Sequence, residues 1–146
     1  MRILLLALSV LGHLSAAPQP SQTCSPAALL GTWQIAKGTI GGEATPTGPN
    51  DPIEYKHLTP THFVVFQVTK DGTMNWAHSG PYTLTGDTYT ESIQHGFGEP
   101  YKQLGRVSVS FKCSLEGKDT WRISGSIANT TLDETWTRVT GARPSP

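Results

Sequence analysis

Residues 106 to 115 constrain the fold more than any other stretch. Val107, Val109, Phe111, Cys113 and Leu115 alternate without a break with Arg106, Ser108, Ser110, Lys112 and Ser114. Only an extended strand, with its period of two, separates these two sets onto opposite faces, one dry and one wet. The next segment repeats the pattern, with Trp121, Ile123 and Ile127 opposing Arg122, Ser124 and Ser126, and Gly125 marks a bulge or a close approach of backbones. Further strands are read at 30–35, 53–58, 62–68, 74–79, 81–85, 88–95 and 131–139, making nine. Turn residues at Lys70-Asp71-Gly72, Thr85-Gly86-Asp87 and Glu116-Gly117-Lys118-Asp119 join consecutive strands as antiparallel hairpins. No segment of ten or more residues carries a helical stripe. The expected class is all-β, a single antiparallel up-and-down barrel of about nine or ten strands. A two-sheet sandwich is the other arrangement such strands allow.

The two ends of this strand series favour closure. The first strand, Leu30-Gly31-Thr32-Trp33-Gln34-Ile35, has a tryptophan that needs burial and a glycine that permits close approach. The last, Glu134-Thr135-Trp136-Thr137-Arg138, places Trp136 and Arg138 on one face. A closed sheet would bring the Arg138 guanidinium over an indole.

With 146 residues the chain has room for one core. Met1-Arg2, the apolar run from Ile3 to Leu14 and Ser15-Ala16-Ala17 read as a signal peptide over 1–17, too short to span a bilayer. An extended lead-in follows over 18–28, in which Ser25 caps one helical turn begun by Pro26 and plugging a barrel end. The barrel is expected over 29–140 and a disordered tail over 141–146. Gly38 to Pro52, rich in Gly, Pro and Thr, reads as a mobile loop and a lid for a portal. Removing Arg2 with the leader leaves ten Lys plus Arg against eleven Asp plus Glu, with no charge run. Nucleic acid and anionic membranes, which need a basic patch, are excluded as partners, as is membrane insertion after leader cleavage. The expected location is secreted, extracellular or periplasmic. In that setting Cys24 and Cys113 are expected to form a disulfide, a buried free thiol at Cys113 being the alternative.

Gly31-Thr32-Trp33 together with Arg138 resembles the glycine-any-tryptophan and terminal-arginine pattern of lipocalins. Lys56-His57-Leu58-Thr59-Pro60-Thr61-His62-Phe63, the run from Gly80 to Glu91, Trp121-Arg122-Ile123-Ser124-Gly125 and Glu134 to Arg138 look like motifs of secreted, lipocalin-like bacterial proteins grouped as a domain of unknown function. The resemblance covers about residues 29 to 139. It implies a small up-and-down barrel with an interior cavity, and it implies no reaction.

Inside such a barrel the informative residues are polar. Of His57, His62, His78 and His95, three are expected inward: His57 with Tyr55, His78 with Trp76, and His95 with Glu91, Tyr89 and Ile93. Adding Tyr82 and Trp121 as aromatic walls, the expected ligand pocket is Tyr55, His57, Trp76, His78, Tyr82, Tyr89, Glu91, His95 and Trp121. The barrel-closure set is Gly31, Trp33, Trp136 and Arg138. Glu134 either pairs with Arg122 or Arg138 at the barrel end or serves as an acid–base group. No close histidine pair supports a metal, no glycine-flanked serine supports a nucleophile elbow, and no cofactor is expected. Asn129-Thr130-Thr131 is a glycosylation sequon that matters only in a eukaryotic host.

These residues lead to a secreted module that binds a small apolar or amphipathic molecule in an aromatic and histidine-lined cavity. The alternative is a small-barrel isomerase, cyclase or hydratase using His and Glu as acid and base, and a third option is an interaction protein with a solid barrel. An enclosed space of roughly 300 Å³ or more separates the first two from the third. Histidine and glutamate atoms converging at hydrogen-bond distance favour the enzyme over the binder.

Overall fold

The computed structural model describes residues 21–141. The expected signal peptide and all but the first residue of the expected tail lie outside these residues. The elements are β1 (Ser21–Thr23), α1 (Pro26–Leu29), β2 (Gly31–Ile40), β3 (Glu43–Ala44), β4 (Ile53–Leu58), β5 (His62–Val68), β6 (Met74–Thr85), β7 (Thr88–Ile93), β8 (His95–Phe97), α2 (Glu99–Leu104), β9 (Val107–Glu116), β10 (Thr120–Ile127) and β11 (Thr130–Arg138).

Eight of these strands form a closed antiparallel wall in chain order, β2, β4, β5, β6, β7, β9, β10 and β11, with β11 returning to pair with β2. The short strands β1, β3 and β8 add to β9, β2 and β6. The barrel is therefore the arrangement formed, rather than the sandwich. The sequence-read strands 74–79 and 81–85 are one strand running through Gly80-Pro81, and residues 88–95 divide into β7 and β8. The first strand continues to Ile40, so the segment read as a loop from Gly38 begins as strand and makes the β2–β3 hairpin. The helix α2 is too short to show periodicity in sequence, though Gly98 and Gly105 bracket it and a proline stands in its first turn.

At one end the barrel is shut. Ser25 caps α1, its hydroxyl accepting from the Ala28 amide at 3.3 Å, and Pro26 opens the helix, where a missing N–H costs nothing. The Trp33 indole donates to the Leu29 carbonyl at 2.8 Å and is fully buried. The Arg138 guanidinium lies 4.0 Å from the Trp33 ring centre, and it donates to the carbonyls of Ala28 and Leu30 that end α1 and to that of Lys118. Gly31 holds φ +113°, and a β-carbon there would meet Arg138 Nη1 at 3.3 Å, so glycine is required where arginine crosses. Below this seal Trp33, Trp121 and Trp136 pack edge-on or tilted at 5.5 and 6.2 Å. Cys24 and Cys113 are joined as a disulfide, with Cα atoms 5.9 Å apart, tying the lead-in to β9.

Candidate functional site

At the other end the interior is not filled. A cavity of about 380 Å³ opens there, with α2 across its mouth through Glu99, Pro100, Gln103 and Leu104. Gly98, before the first turn of α2, holds φ +83°, and a β-carbon on it would strike the Trp76 β-carbon at 2.4 Å. This close approach seats the helix beside Trp76. α2 thus borders the mouth, and Ile40, from the glycine- and proline-rich segment expected to serve as a lid, lines the cavity as well.

The walls are apolar, from Val65, Trp76, Ile123, Ile127 and Leu132, because each strand turns one parity of side chains inward. The floor is charged. Glu54 and Lys56 of β4, His78 of β6, Glu91 of β7 and Glu134 of β11 all line the same space. Lys56 Nζ donates to Glu91 Oε1 at 2.8 Å, and the Tyr89 hydroxyl donates to the same oxygen at 2.9 Å. The ammonium also stands 4.9 Å from the Trp136 ring centre and 5.3 Å from that of Trp121, so two indole faces share in stabilising it. The Trp136 indole donates to Glu134 Oε2 at 2.9 Å. Among the described residues His78 Nδ1 is buried and has no hydrogen-bond partner. The His78 ring stacks on Trp76 at 5.5 Å and meets the Phe63 edge at 5.9 Å.

Burial dominates the protonation of this floor. It pushes the Glu54 carboxyl up to about 8, with Glu134 and Glu91 adding to the rise and Lys56 opposing it. Burial raises Glu134 as well, against the pull of Lys56 and of the Trp136 bond. Burial alone would lower Lys56, but Glu91, Glu134 and Glu54 together outweigh it and hold the ammonium charged. His78 is driven down to about 4 by burial, and Lys56 lowers it further against Glu91. At neutral pH the imidazole is therefore uncharged.

Of the residues expected to form a pocket, Trp76, His78 and Glu91 line the cavity. Tyr89 is buried behind Glu91, and Trp121 and Tyr82 are buried toward the shut end; the Tyr82 hydroxyl donates to the Thr59 carbonyl. Three expected residues stand elsewhere. Tyr55 and His57 project from the outer wall, Tyr55 stacked on Phe66 and His57 Nδ1 at 2.9 Å from the Thr32 hydroxyl. The reason is register: β4 turns Glu54, Lys56 and Leu58 inward, the opposite parity from the one assumed, and a slip of one residue exchanges the faces. His95 is exposed, because the pairing with β6 slips by one residue after β7: Glu91 stands opposite Tyr82, but His95 stands opposite Ser79, whose parity faces away from the cavity. With His62 these histidines edge a shallow outer groove of about 220 Å³. Among the described residues no group of three His, Cys, Asp or Glu side chains has the spacing to hold a metal ion.

Glu134 pairs with neither arginine considered for it. Arg122 binds Glu116 on the surface, and Arg138 is committed to the α1 carbonyls and Asp119. Lys56 and Glu54 are the site residues that sequence reasoning missed. Their signal was present in Glu54-any-Lys56-any-Leu58, but Ile53 and Tyr55 offer apolar side chains on the other parity. Asn129 sits exposed in the β10–β11 turn with φ 69°.

None of the curated proteins compared matches this sequence. Solved structures share its fold, three of them as follows. A lipocalin-like protein from Bacteroides uniformis is 16% identical, aligning over 77% of this chain and 99% of its own with a TM-score of 0.57. An uncharacterized protein from Bacteroides eggerthii is 12% identical, over 76% and 99% of the two chains, again with a TM-score of 0.57. A redesigned β-barrel is 21% identical, over 83% and 100%, with a TM-score of 0.52. At these identities the likeness concerns the fold, and it agrees with the eight-stranded wall. A family model matches residues 28–146, which include the whole wall, and the chain thereby belongs to the domain of unknown function DUF4488, here folded as a closed antiparallel β-barrel.

Proposed function

We propose that the protein binds a small, largely apolar molecule in the cavity beneath α2 and acts after export from the cytoplasm. The observation that carries the reading is the cavity: about 380 Å³ of space, apolar walls and a few convergent polar groups at one end, which is the usual make-up of a small-molecule site. A solid barrel would have no such space. Trp76, His78 and Glu91 are the pocket residues carried forward from the sequence, joined by Glu54, Lys56 and Glu134. Export is supported by the apolar leader and by the Cys24–Cys113 disulfide, a bond of oxidising compartments. Among the described residues no helix is long and apolar enough to cross a membrane.

Acid–base catalysis by a histidine and a glutamate acting together finds less support, since the sign expected for it is the two in hydrogen-bond reach of each other. His78 Nδ1 has no partner, and Glu91 is engaged by Lys56 and Tyr89. The test is a titration with the neutral apolar dye N-phenyl-1-naphthylamine, followed by its fluorescence. Saturable enhancement is expected, and Ile127→Trp, which fills the cavity from its half-buried wall, should abolish it while the circular dichroism melt is kept. No saturable enhancement in the wild type, or full binding by the filled variant, would overturn the reading.

A further inference from the structure

Building on the cavity as a ligand site, we infer that it selects molecules with an apolar body and a cationic head, an alkylammonium in its simplest form, with the cation seated at the carboxyl groups of Glu54 and Glu134. The argument begins with the composition of the floor: three carboxyl groups, from Glu54, Glu91 and Glu134, face one ammonium and one imidazole. Lys56 is not available to a ligand, because its Nζ is bound to Glu91 at 2.8 Å with both side chains almost wholly buried. That pair leaves Glu54 and Glu134 within reach of the Lys56 field but with no ion pair of their own among the described residues. Glu134 has the Trp136 indole for a partner, and Glu54 faces the same cavity.

His78 supplies an independent sign that something is missing. It is nine-tenths buried, it lines the cavity, and its Nδ1 has no hydrogen-bond partner among the described residues. A buried polar atom left in this way costs about 1 to 3 kcal/mol, which a bound polar group would recover. An alkylammonium brings three N–H donors and no acceptor, which suits a floor rich in acceptors. A carboxylate ligand would instead add a further acid beside Glu54, Glu91, Glu99 and Glu134, where the one ammonium that lines the cavity is taken. An alcohol would gain hydrogen bonds but no attraction between opposite charges. The body of the ligand would lie along Val65, Trp76, Ile123, Ile127 and Leu132.

The same geometry sets the pH response. The groups facing Glu54 are Lys56 on its own strand, Glu134 with neighbouring Asp133 on β11, Glu91 on β7, His78 on β6 and Glu99 on α2. In the empty site burial holds Glu54 protonated at neutral pH, so seating a cation must expel a proton. Affinity for an alkylammonium therefore rises as the solution becomes alkaline, whereas that for a neutral ligand does not.

Calorimetric titration of the wild type with octylamine, 1-octanol and octanoate, at about pH 6 and about pH 8.5, tests this with one alkyl chain and three heads. Octylamine should bind at least about tenfold more tightly than 1-octanol at the higher pH, and the margin should shrink at the lower. In Glu54→Gln/Glu134→Gln, octylamine should fall to the level of 1-octanol, with each single variant intermediate should the pair unfold. Equal binding of octylamine and 1-octanol, or tighter binding of octanoate, would overturn the cation preference and leave the apolar site standing. If none of the three binds, the preference also fails, and the dye titration decides separately whether the cavity is a site at all.

Discussion

The two ends of the barrel use the same kinds of side chain to opposite effect. At the shut end Trp33, Trp121 and Arg138 all have partners: each indole N–H has an acceptor, in the Leu29 carbonyl and Cys113 Sγ, and the guanidinium finds three carbonyls. At the open end Trp76, His78, Glu54 and Glu134 line an unfilled space, and His78 Nδ1 has no partner. Lys56 and Glu91 stand at the boundary, as an ion pair between the packed aromatic residues and the cavity. One end is built for stability and the other holds unmet interactions, and small-molecule sites arise from the second kind of region.

The largest effect should come from cutting the shut end loose. Cys24→Ser/Cys113→Ser opens a link across 89 residues, for which the chain-entropy model gives roughly 4 to 5 kcal/mol. A fall of that size in urea unfolding free energy is expected, with dye binding retained wherever the variant is folded. Next, Trp33→Ala removes a fully buried indole and should cost about 3 to 5 kcal/mol, read from the same unfolding curves. Little change in the urea midpoint would mean that the seal does not hold the barrel together.

Smaller effects should mark the open end and should depend on pH. The folded-state pKa of Glu54 is raised from 4.5 to about 8, so its contribution is fully present below 4.5 and is lost as pH rises through 8. His78 behaves oppositely: lowered from 6.5 to about 4, it contributes above 6.5, and this is lost as pH falls through 4. Glu54→Gln should therefore gain melting temperature relative to the wild type on going from acid to alkaline buffer, by several degrees for each pH unit by which the Glu54 pKa is raised. A parallel pair of Tm profiles would mean that Glu54 ionises as freely as in water.

The shut end was legible in the sequence and half of the open end was not. Trp33, Arg138 and the cysteine pair were readable because each has one dominant need: a cover for an indole, a partner for a guanidinium, an oxidising compartment for two thiols. In β9 the apolar residues occupy a single parity, so its register could be read directly. In β4, with Ile53 and Tyr55 on one parity and Leu58 on the other, hydrophobicity does not choose a face. What does choose it is Glu91 on β7, which gives Lys56 a buried partner 35 residues away. His95 was misplaced for a different reason, since alternation predicts facing only while the register holds, and the pairing with β6 slips by one residue between Glu91 and His95.

The most direct test of the cavity as a ligand site follows the four indole N–H signals by NMR during titration with N-phenyl-1-naphthylamine. Trp76 lines the cavity and should shift most. Trp136, bonded to Glu134 at its floor, should follow, and Trp33 and Trp121 at the shut end should hold still. Shifts confined to backbone signals around His57, His62 and His95 in the outer groove, with all four indoles unmoved, would contradict the account.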